Sequence, residues 1–355
     1  MKKLILLSLL YCTNIGAQNL YCTMSSYSNN VIYDYMNKLN NISGAQMLSK
    51  YLFSNGSQNI GSASFDPLSN TIFTLNSGVN VLGKYNVGTD MFSTLQLPWP
   101  ANSSGIYVNV ATANGRLFVI KESSSNIVSV CELDKVTGNL ISEYNYTTPA
   151  LSGASDFVFC KETNELVLLV NNKIVKYNIV TGTESSFNLP SGTYDSIVVV
   201  NQKLYVTKQN TVSGNIVFTI ESYQVSTGSL MSSNVLSNTF TEIDEGIRNL
   251  CFLGETNELV GTISSQNEIK LLKFNISTSA ESLTHLFWGP SYFLGDMVAT
   301  TSMATLSTKE NLENNKNKKI KNAYDMAGKK ISPDTKNKII ILEYEDGTHK
   351  KVLQN

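Results

Sequence analysis

Four charged residues stand where apolar runs begin: Asp156, Asp195, Arg248 and Asp296, with Glu245 close to Arg248 in the chain. Carboxylates that converge from separate strands can hold a hard cation such as Ca²⁺, or work as an acid/base pair. The plainer reading is that an Asp ahead of a strand caps a turn and stays solvated. Other catalytic material is sparse. Of the two histidines, His285 sits in the alternating run Leu283-Thr284-His285-Leu286 and reads as a surface residue, while His349 falls in a C-terminal hairpin. A Ser-His-Asp or Cys-His set would hang on His285 alone. There is no HExxH, Walker loop or GxSxG. Enzymatic activity is therefore left open, with the balance against it, and no cofactor is called for. The alternative is a metal-assisted hydrolase using Asp156, Asp195 and Asp296 around Ca²⁺.

Two tryptophans offer binding chemistry instead. Trp99 lies in Leu97-Pro98-Trp99-Pro100 and Trp288 in Phe287-Trp288-Gly289-Pro290. Aromatic side chains beside Pro and Gly suit contact with a glycan or a protein, and core packing is the duller explanation. Cys22, Cys131, Cys160 and Cys251 have neither CxxC spacing nor a nearby His, so zinc is not expected. Each sits in an apolar run and reads as a small buried hydrophobe.

The elements that must position these residues are short strands. Hydrophobic residues make up 42% of the 355 residues and charged ones only 15%, with 17 Tyr and 14 Phe among them; this composition suits strands joined by polar turns. A net charge of −1 gives no global field for nucleic acid. One phrase recurs, a β-rich run ending in a polar residue followed by a Thr-Gly type of turn. Its polar anchors are Asn86, Asp134, Asn178, Gln224 and Asn275, spaced by 48, 44, 46 and 51 residues. Four-stranded blades need this length. A second phrase opens the preceding strand, as in Arg116-Leu117-Phe118 and Glu165-Leu166-Val167. Each unit reads as inner strand, turn, second strand, loop, third strand, Thr-Gly turn and fourth strand. The ends supply a sixth unit: Asp296 begins an inner strand with no second strand after it, and Asn19–Thr23 is a second strand with no inner strand before it. The expected fold is an all-β, six-bladed β-propeller over 18–304, its last blade closed by N-terminal strands, which removes open edges. In such a ring the four charged groups would line one mouth of the channel, with matching positions near Ala63 and Tyr107.

The blade phrase resembles the YVTN-type surface-layer and quinoprotein-like propellers, over residues 53 to 300. That resemblance implies fold rather than activity. The hydrolase alternative looks to the six-bladed, lactonase-like propellers that bind metal at the channel mouth; no motif of theirs is matched here.

Composition shifts near residue 305. The stretch from Thr305 onward carries an excess charge of +4 and everything before it sums to −5. Residues 305–319 read as a polar linker and 320–355 as a small β-module ending in a hairpin turned at Asp346-Gly347. The stretches Tyr324–Lys330 and Tyr344–Val352 resemble the C-terminal sorting domain of type IX secretion cargo in Bacteroidetes. The resemblance implies recognition by the outer-membrane secretion machinery. The tail is shorter than usual and has Lys338-Ile339-Ile340 where Gly-Ile-Tyr is common. At the other end, Lys2-Lys3, the run Leu4–Leu10 and Gly16-Ala17 read as a signal peptide over 1–17; its apolar run is too short to span a bilayer. The expectation is a secreted or outer-membrane surface protein with no transmembrane span. It would act as a binding scaffold for an extracellular protein or glycan.

Overall fold

The computed structural model describes residues 19–28, 31–40, 46–55, 60–76, 80–98, 105–123, 128–146, 154–240, 245–265, 268–286, 292–300, 320–324, 330–332, 338–344 and 349–354. All regular structure among them is β. The strands are β1 (Asn19–Ser28), β2 (Val31–Leu39) and β3 (Gln46–Asn55), followed by five runs of four. Blade 1 is β4–β7 (Ile60–Asp66, Thr71–Asn76, Val81–Asn86, Met91–Gln96). Blade 2 is β8–β11 (Gly105–Ala113, Arg116–Ser123, Val128–Leu133, Leu140–Asn145). Blade 3 is β12–β15 (Ala154–Cys160, Glu165–Val170, Lys173–Asn178, Glu184–Asn188). Blade 4 is β16–β19 (Thr193–Val200, Lys203–Val212, Asn215–Gln224, Leu230–Phe240). Blade 5 is β20–β23 (Glu245–Leu253, Glu258–Ser265, Glu268–Asn275, Glu281–Leu286). Then comes β24 (Tyr292–Thr300).

Each of blades 1 to 5 is a four-stranded antiparallel meander, and blade 6 has the order β24-β1-β2-β3. The ring thus closes as the sequence suggests, with Asn19 opposite Thr300 and Cys22 opposite Met297. The first strand of each blade neighbours the first strand of the next, in the order β4, β8, β12, β16, β20, β24 and back to β4. This is a six-bladed β-propeller, and its compact unit is Gln18–Thr300.

The recurring phrase has a physical cause. Asn178 Oδ1 accepts the N–H groups of Val180 and Thr181 at 2.9 Å, and its Nδ2 donates to Thr163 O at 2.9 Å. One side chain therefore caps the third turn and ties it to the first turn of the same blade. Asn86 and Asn275 repeat the arrangement. Asp134, which has no donor, keeps only the cap, to Val136 and Thr137 at 2.8 Å. Asn is favoured here because it both accepts and donates. A sixth copy of the phrase goes unnoticed in the sequence reading. Lys38-Leu39-Asn40 aligns with Lys84-Tyr85-Asn86, since Lys38 opposes the third residue of β1 as Lys84 opposes the third residue of β5.

The blades pack through apolar faces. Leu166, Leu168 and Val175 of blade 3 join Phe118, Ile120 and Val130 of blade 2 in one cluster, and Leu204, Val206 and Tyr223 of blade 4 join Val167, Leu169 and Ile174 of blade 3 in another. Second strands are buried on both faces, as in the run of Leu166–Val170. Fourth strands are the outer edges and are mostly exposed. Lysines cross between blades: Lys84 Nζ donates to Lys135 O at 3.3 Å and Lys176 Nζ to Val225 O at 2.8 Å.

The C-terminal residues form a separate sheet. Its order is β26-β25-β27-β28, with β25 Ile320–Tyr324, β26 Lys330–Ile331, β27 Lys338–Tyr344 and β28 His349–Gln354. The expected terminal hairpin is present, pairing Ile340 with Val352. Residues 1–17, the linker 305–319 and the Asp346-Gly347 turn lie outside the described residues.

Candidate functional site: a polar belt in the channel wall

The inner strands have an edge problem. One side of each pairs with the second strand of its own blade; the N–H groups on the other side face the channel and have no strand to bond. Buried N–H groups need acceptors. The sequence supplies them at one level of the ring. Counting four residues back from the last residue of each inner strand gives Ser62, Asn109, Asp156, Ser196, Asn249 and Asp296. Every blade is polar there, and the order Ser-Asn-Asp occurs twice around the ring. Opposed blades therefore carry like residues: Ser62 with Ser196, Asn109 with Asn249, Asp156 with Asp296.

The backbone registers agree with this alignment. Ser62, Asn109 and Asp156 each oppose the fifth residue of the second strand, namely Leu75, Ile120 and Leu169. In blades 4 and 6 the fifth residue is a Thr whose hydroxyl bonds the belt backbone: Ser196 N–H donates to Thr207 Oγ1 at 3.0 Å and Asp296 N–H to Thr23 Oγ1 at 2.7 Å. In blade 5, Asn249 Nδ2 donates to Thr262 Oγ1 at 3.4 Å. In all six blades the register of the first two strands shifts at this level, and Asn249 has φ of 62°. A bulge re-aims a side chain, and here it lets a belt residue reach its neighbour.

What the belt does is lateral. A side-chain oxygen in one blade accepts the N–H of the residue that follows the belt residue in the next blade. Ser62 Oγ accepts from Val110 at 3.1 Å, Asp156 Oδ2 from Ile197 at 2.8 Å, Ser196 Oγ from Leu250 at 3.0 Å and Asp296 Oδ2 from Ala63 at 2.7 Å. Ser196 Oγ also donates to Asp156 Oδ2 at 2.5 Å. Each Asp uses its other oxygen on its own strand: Asp156 Oδ1 accepts from Phe157 and Asp296 Oδ1 from Met297, both at 2.7 Å.

Electrostatics set the two carboxyls apart from ordinary ones. Burial raises the pKa of Asp156, against the lowering effect of its bonds from Ser196, Ile197 and Phe157. Asp296 is pushed up to about 8, first by burial and then by repulsion from Asp156. Both shifts follow from removing charge from water with no cation in compensation.

The four expected mouth residues do not share one register. Asp156 and Asp296 do, as belt residues of opposed blades. Asp195 and Arg248 each fall one position ahead of the belt, where Ser196 and Asn249 stand. In blades 1 and 2 the matching residues are Ser62 and Asn109, not Ala63 and Tyr107. The reason is the bulge, which displaces the count by one or two residues that pattern reading does not see. Asp195 instead packs its carboxylate against Gly246 of blade 5, where a Cβ would collide with it. Arg248 is exposed and is the cross-strand partner of Thr262. Glu245 begins β20, and its side chain is outside the described residues. Among the described residues, no three His, Cys, Asp or Glu side chains gather into a metal-holding group. Ser62, Asn109, Ser196 and Asn249 are the belt residues that sequence reasoning misses. The signal for them is a single polar residue at a fixed distance from the end of each apolar inner strand.

The remaining candidates divide by place. Trp99 and Trp288 lie outside the described residues. His285 is exposed on an outer strand opposite Lys270. Cys22, Cys131, Cys160 and Cys251 are unbridged and buried, and burial raises all four thiols, Cys131 to about 12. Thiols held protonated are poor nucleophiles, so the reading of four small buried hydrophobes fits.

No protein-family model matches the chain, and no curated protein does. Solved structures do match in shape. A chain in the crystal structure of a nidogen/laminin complex aligns with a TM-score of 0.58 at 11% identity, covering 80% of this chain and 98% of that one. TolB from Acinetobacter baumannii aligns with a TM-score of 0.52 at 10% identity, covering 81% of this chain and 67% of that one. The shared property is the fold. At such identities a six-bladed propeller says nothing by itself about ligand or chemistry.

No helix among the described residues is long and apolar enough to cross a membrane.

Proposed function

We propose that this propeller is an exported, non-catalytic binding scaffold that grips a protein partner through one end of its blades. The observation that carries this is a set of bare apolar side chains on three consecutive blades. Leu68, Val136 and Val180 are 69%, 71% and 72% exposed. Leu68 is in the turn joining the first two strands of blade 1; Val136 and Val180 are in the third turns of blades 2 and 3. First and third turns fall at the same end of a four-stranded meander, as Ile179 N–H bonding Asn164 O shows in blade 3. Exposed apolar groups at one end of neighbouring blades offer surface that a partner could cover. The channel acids point the same way, because their oxygens are engaged in joining blades. A chain that aligns with this ring occurs in the nidogen/laminin complex, so the architecture is compatible with gripping a protein.

Export rests on separate support: the signal-like start at residues 1–17 and the C-terminal sheet, whose stretches Tyr324–Lys330 and Tyr344–Val352 resemble type IX sorting domains of Bacteroidetes cargo. In this reading the outer-membrane secretion machinery takes up the sheet, and the ring is released or displayed at the cell surface. Two tests apply. Photo-crosslinkers at positions 136 and 180 of the secreted protein should give a discrete protein adduct that is lost when Leu68 is changed to Asp; absence of any adduct would remove the partner-binding reading. Deleting 320–355 should leave the ring inside the cell envelope; unchanged release would remove the sorting role.

A further inference from the structure

We propose that Met47, Met91 and Met231 are oxidation sites, and that a partner holds this end of the ring only while they are reduced. This rests on the partner-binding reading above and adds its regulation. The methionines fall into two groups. Among the described residues Met24, Met36 and Met297 are buried, in the clusters where blade 6 meets blades 5 and 1. Met47, Met91 and Met231 are 61%, 65% and 48% exposed. All three stand within the first two residues of a fourth strand: Met47 in β3, Met91 in β7 and Met231 in β19.

The backbone causes the exposure. In β3, Gln46 opposes Leu39 and Leu48 opposes Lys38, which leaves Met47 as an extra residue. In β19, Leu230 opposes Tyr223 and Ser232 opposes Ser222, which leaves Met231 extra. Blade 2 repeats the bulge at Ile141, between Leu140 opposite Leu133 and Ser142 opposite Glu132. A bulge interrupts the alternation of faces, and two successive side chains turn outward, Leu230 with Met231 and Leu140 with Ile141. Blades 2, 4 and 6 share this device; in blades 1, 3 and 5 the third and fourth strands pair without a shift. Met91 opens β7 opposite Asn86, whose side chain caps the third turn of blade 1.

Fourth strands begin where third turns end, so these side chains belong to the same end of the ring as Leu68, Val136 and Val180. Together they place exposed apolar groups on blades 6, 1, 2, 3 and 4. Blade 5 interrupts the arc, because its first and third turns expose Glu255, Thr256, Ser277 and Thr278 instead. Methionine stands at both ends of the arc and within it. Its thioether is soft and polarisable, and a peroxide-class oxidant transfers one oxygen to it. An S–O bond forms and the peroxide O–O bond breaks; sulfur loses two electrons, and hydrogen peroxide leaves as water. The sulfoxide is polar, so covering it means stripping water from a strong acceptor. Three points of an apolar arc turn polar and the partner is released. Reduction of the sulfoxides restores the surface.

The test treats the full chain with hydrogen peroxide, maps each methionine by mass spectrometry, and repeats the photo-crosslinking at positions 136 and 180. Met47, Met91 and Met231 should gain oxygen about tenfold faster or more than Met24, Met36 and Met297, which react only when the ring opens. Adduct yield should fall about fivefold or more in step with that oxidation, and return after treatment with a methionine sulfoxide reductase. In a variant carrying Met47→Leu, Met91→Leu and Met231→Leu, the yield, whatever its starting level, should no longer change with peroxide. Equal oxidation rates in the two groups of methionines would overturn the proposal, as would a variant whose adduct still falls with peroxide. An adduct that persists once the three methionines are oxidised would overturn it too, and would leave partner binding standing. An adduct missing before any oxidant is added is instead the failure of the partner-binding reading, and the regulation falls with it.

Discussion

Four seams of this ring are latched in two ways, and the contrast is informative. Between blades 1 and 2 and between blades 4 and 5 the belt acceptor is a hydroxyl, Ser62 or Ser196. Between blades 3 and 4 and between blades 6 and 1 it is a carboxyl, Asp156 or Asp296. A hydroxyl takes one neighbouring N–H and is indifferent to pH. A carboxyl has two oxygens, so it serves its own strand and the next blade together, at the cost of burying an ionisable group. The same backbone need is met by a neutral, weaker joint in one pair of seams and by a stronger, titratable joint in the other.

Breaking the carboxyl joint should hurt most. Asp156→Ala leaves the Ser196 hydroxyl and the Ile197 and Phe157 N–H groups without their acceptor, for an expected loss of about 3 kcal/mol by urea denaturation. Ser196→Ala removes the acceptor for Leu250 and a donor to Asp156, and should cost about 2 kcal/mol. Ser62→Ala strands only the Val110 N–H and should cost about 1 kcal/mol. A smaller effect belongs to the turn anchors. Asn178→Asp keeps the cap on Val180 and Thr181 but loses the bond to Thr163 O, about 0.5 kcal/mol, and would make blade 3 resemble blade 2 with its Asp134. If Ser196→Ala proves as costly as Asp156→Ala, the distinction between the two kinds of seam collapses.

The turn anchors and the belt were not equally legible in the sequence. Asn86, Asn178 and Asn275 announce themselves because an Asx cap acts on residues two and three further along, so the signal is local and repeats with the blade. The closure of blade 6 was legible for a similar reason, since an inner strand at Asp296 and a second strand at Asn19 each lack what the other supplies. Lys38-Leu39-Asn40 escaped notice because its following turn does not spell Thr-Gly. The belt was half legible. Asp156 and Asp296 stand out as charges at the head of apolar runs, but so do Asp195 and Arg248, and only the bulge decides which residue of each strand reaches the neighbouring blade. Ser62 and Asn109 carry no charge and passed as ordinary strand polarity. The exposed Val136 and Val180 are likewise invisible in sequence, where a Val beside a Thr-Gly turn looks like the end of a buried strand.

The most direct test of the ring and its belt is amide hydrogen exchange at Val110, Ile197, Leu250 and Ala63. These N–H groups point away from their own blade's second strand, so in separate or loosely associated blades they would face water. The account predicts exchange as slow as at core positions such as Leu168 and Val206, through openings near the global unfolding free energy. Exchange at these four amides as fast as in exposed turns, with the core still protected, would contradict it.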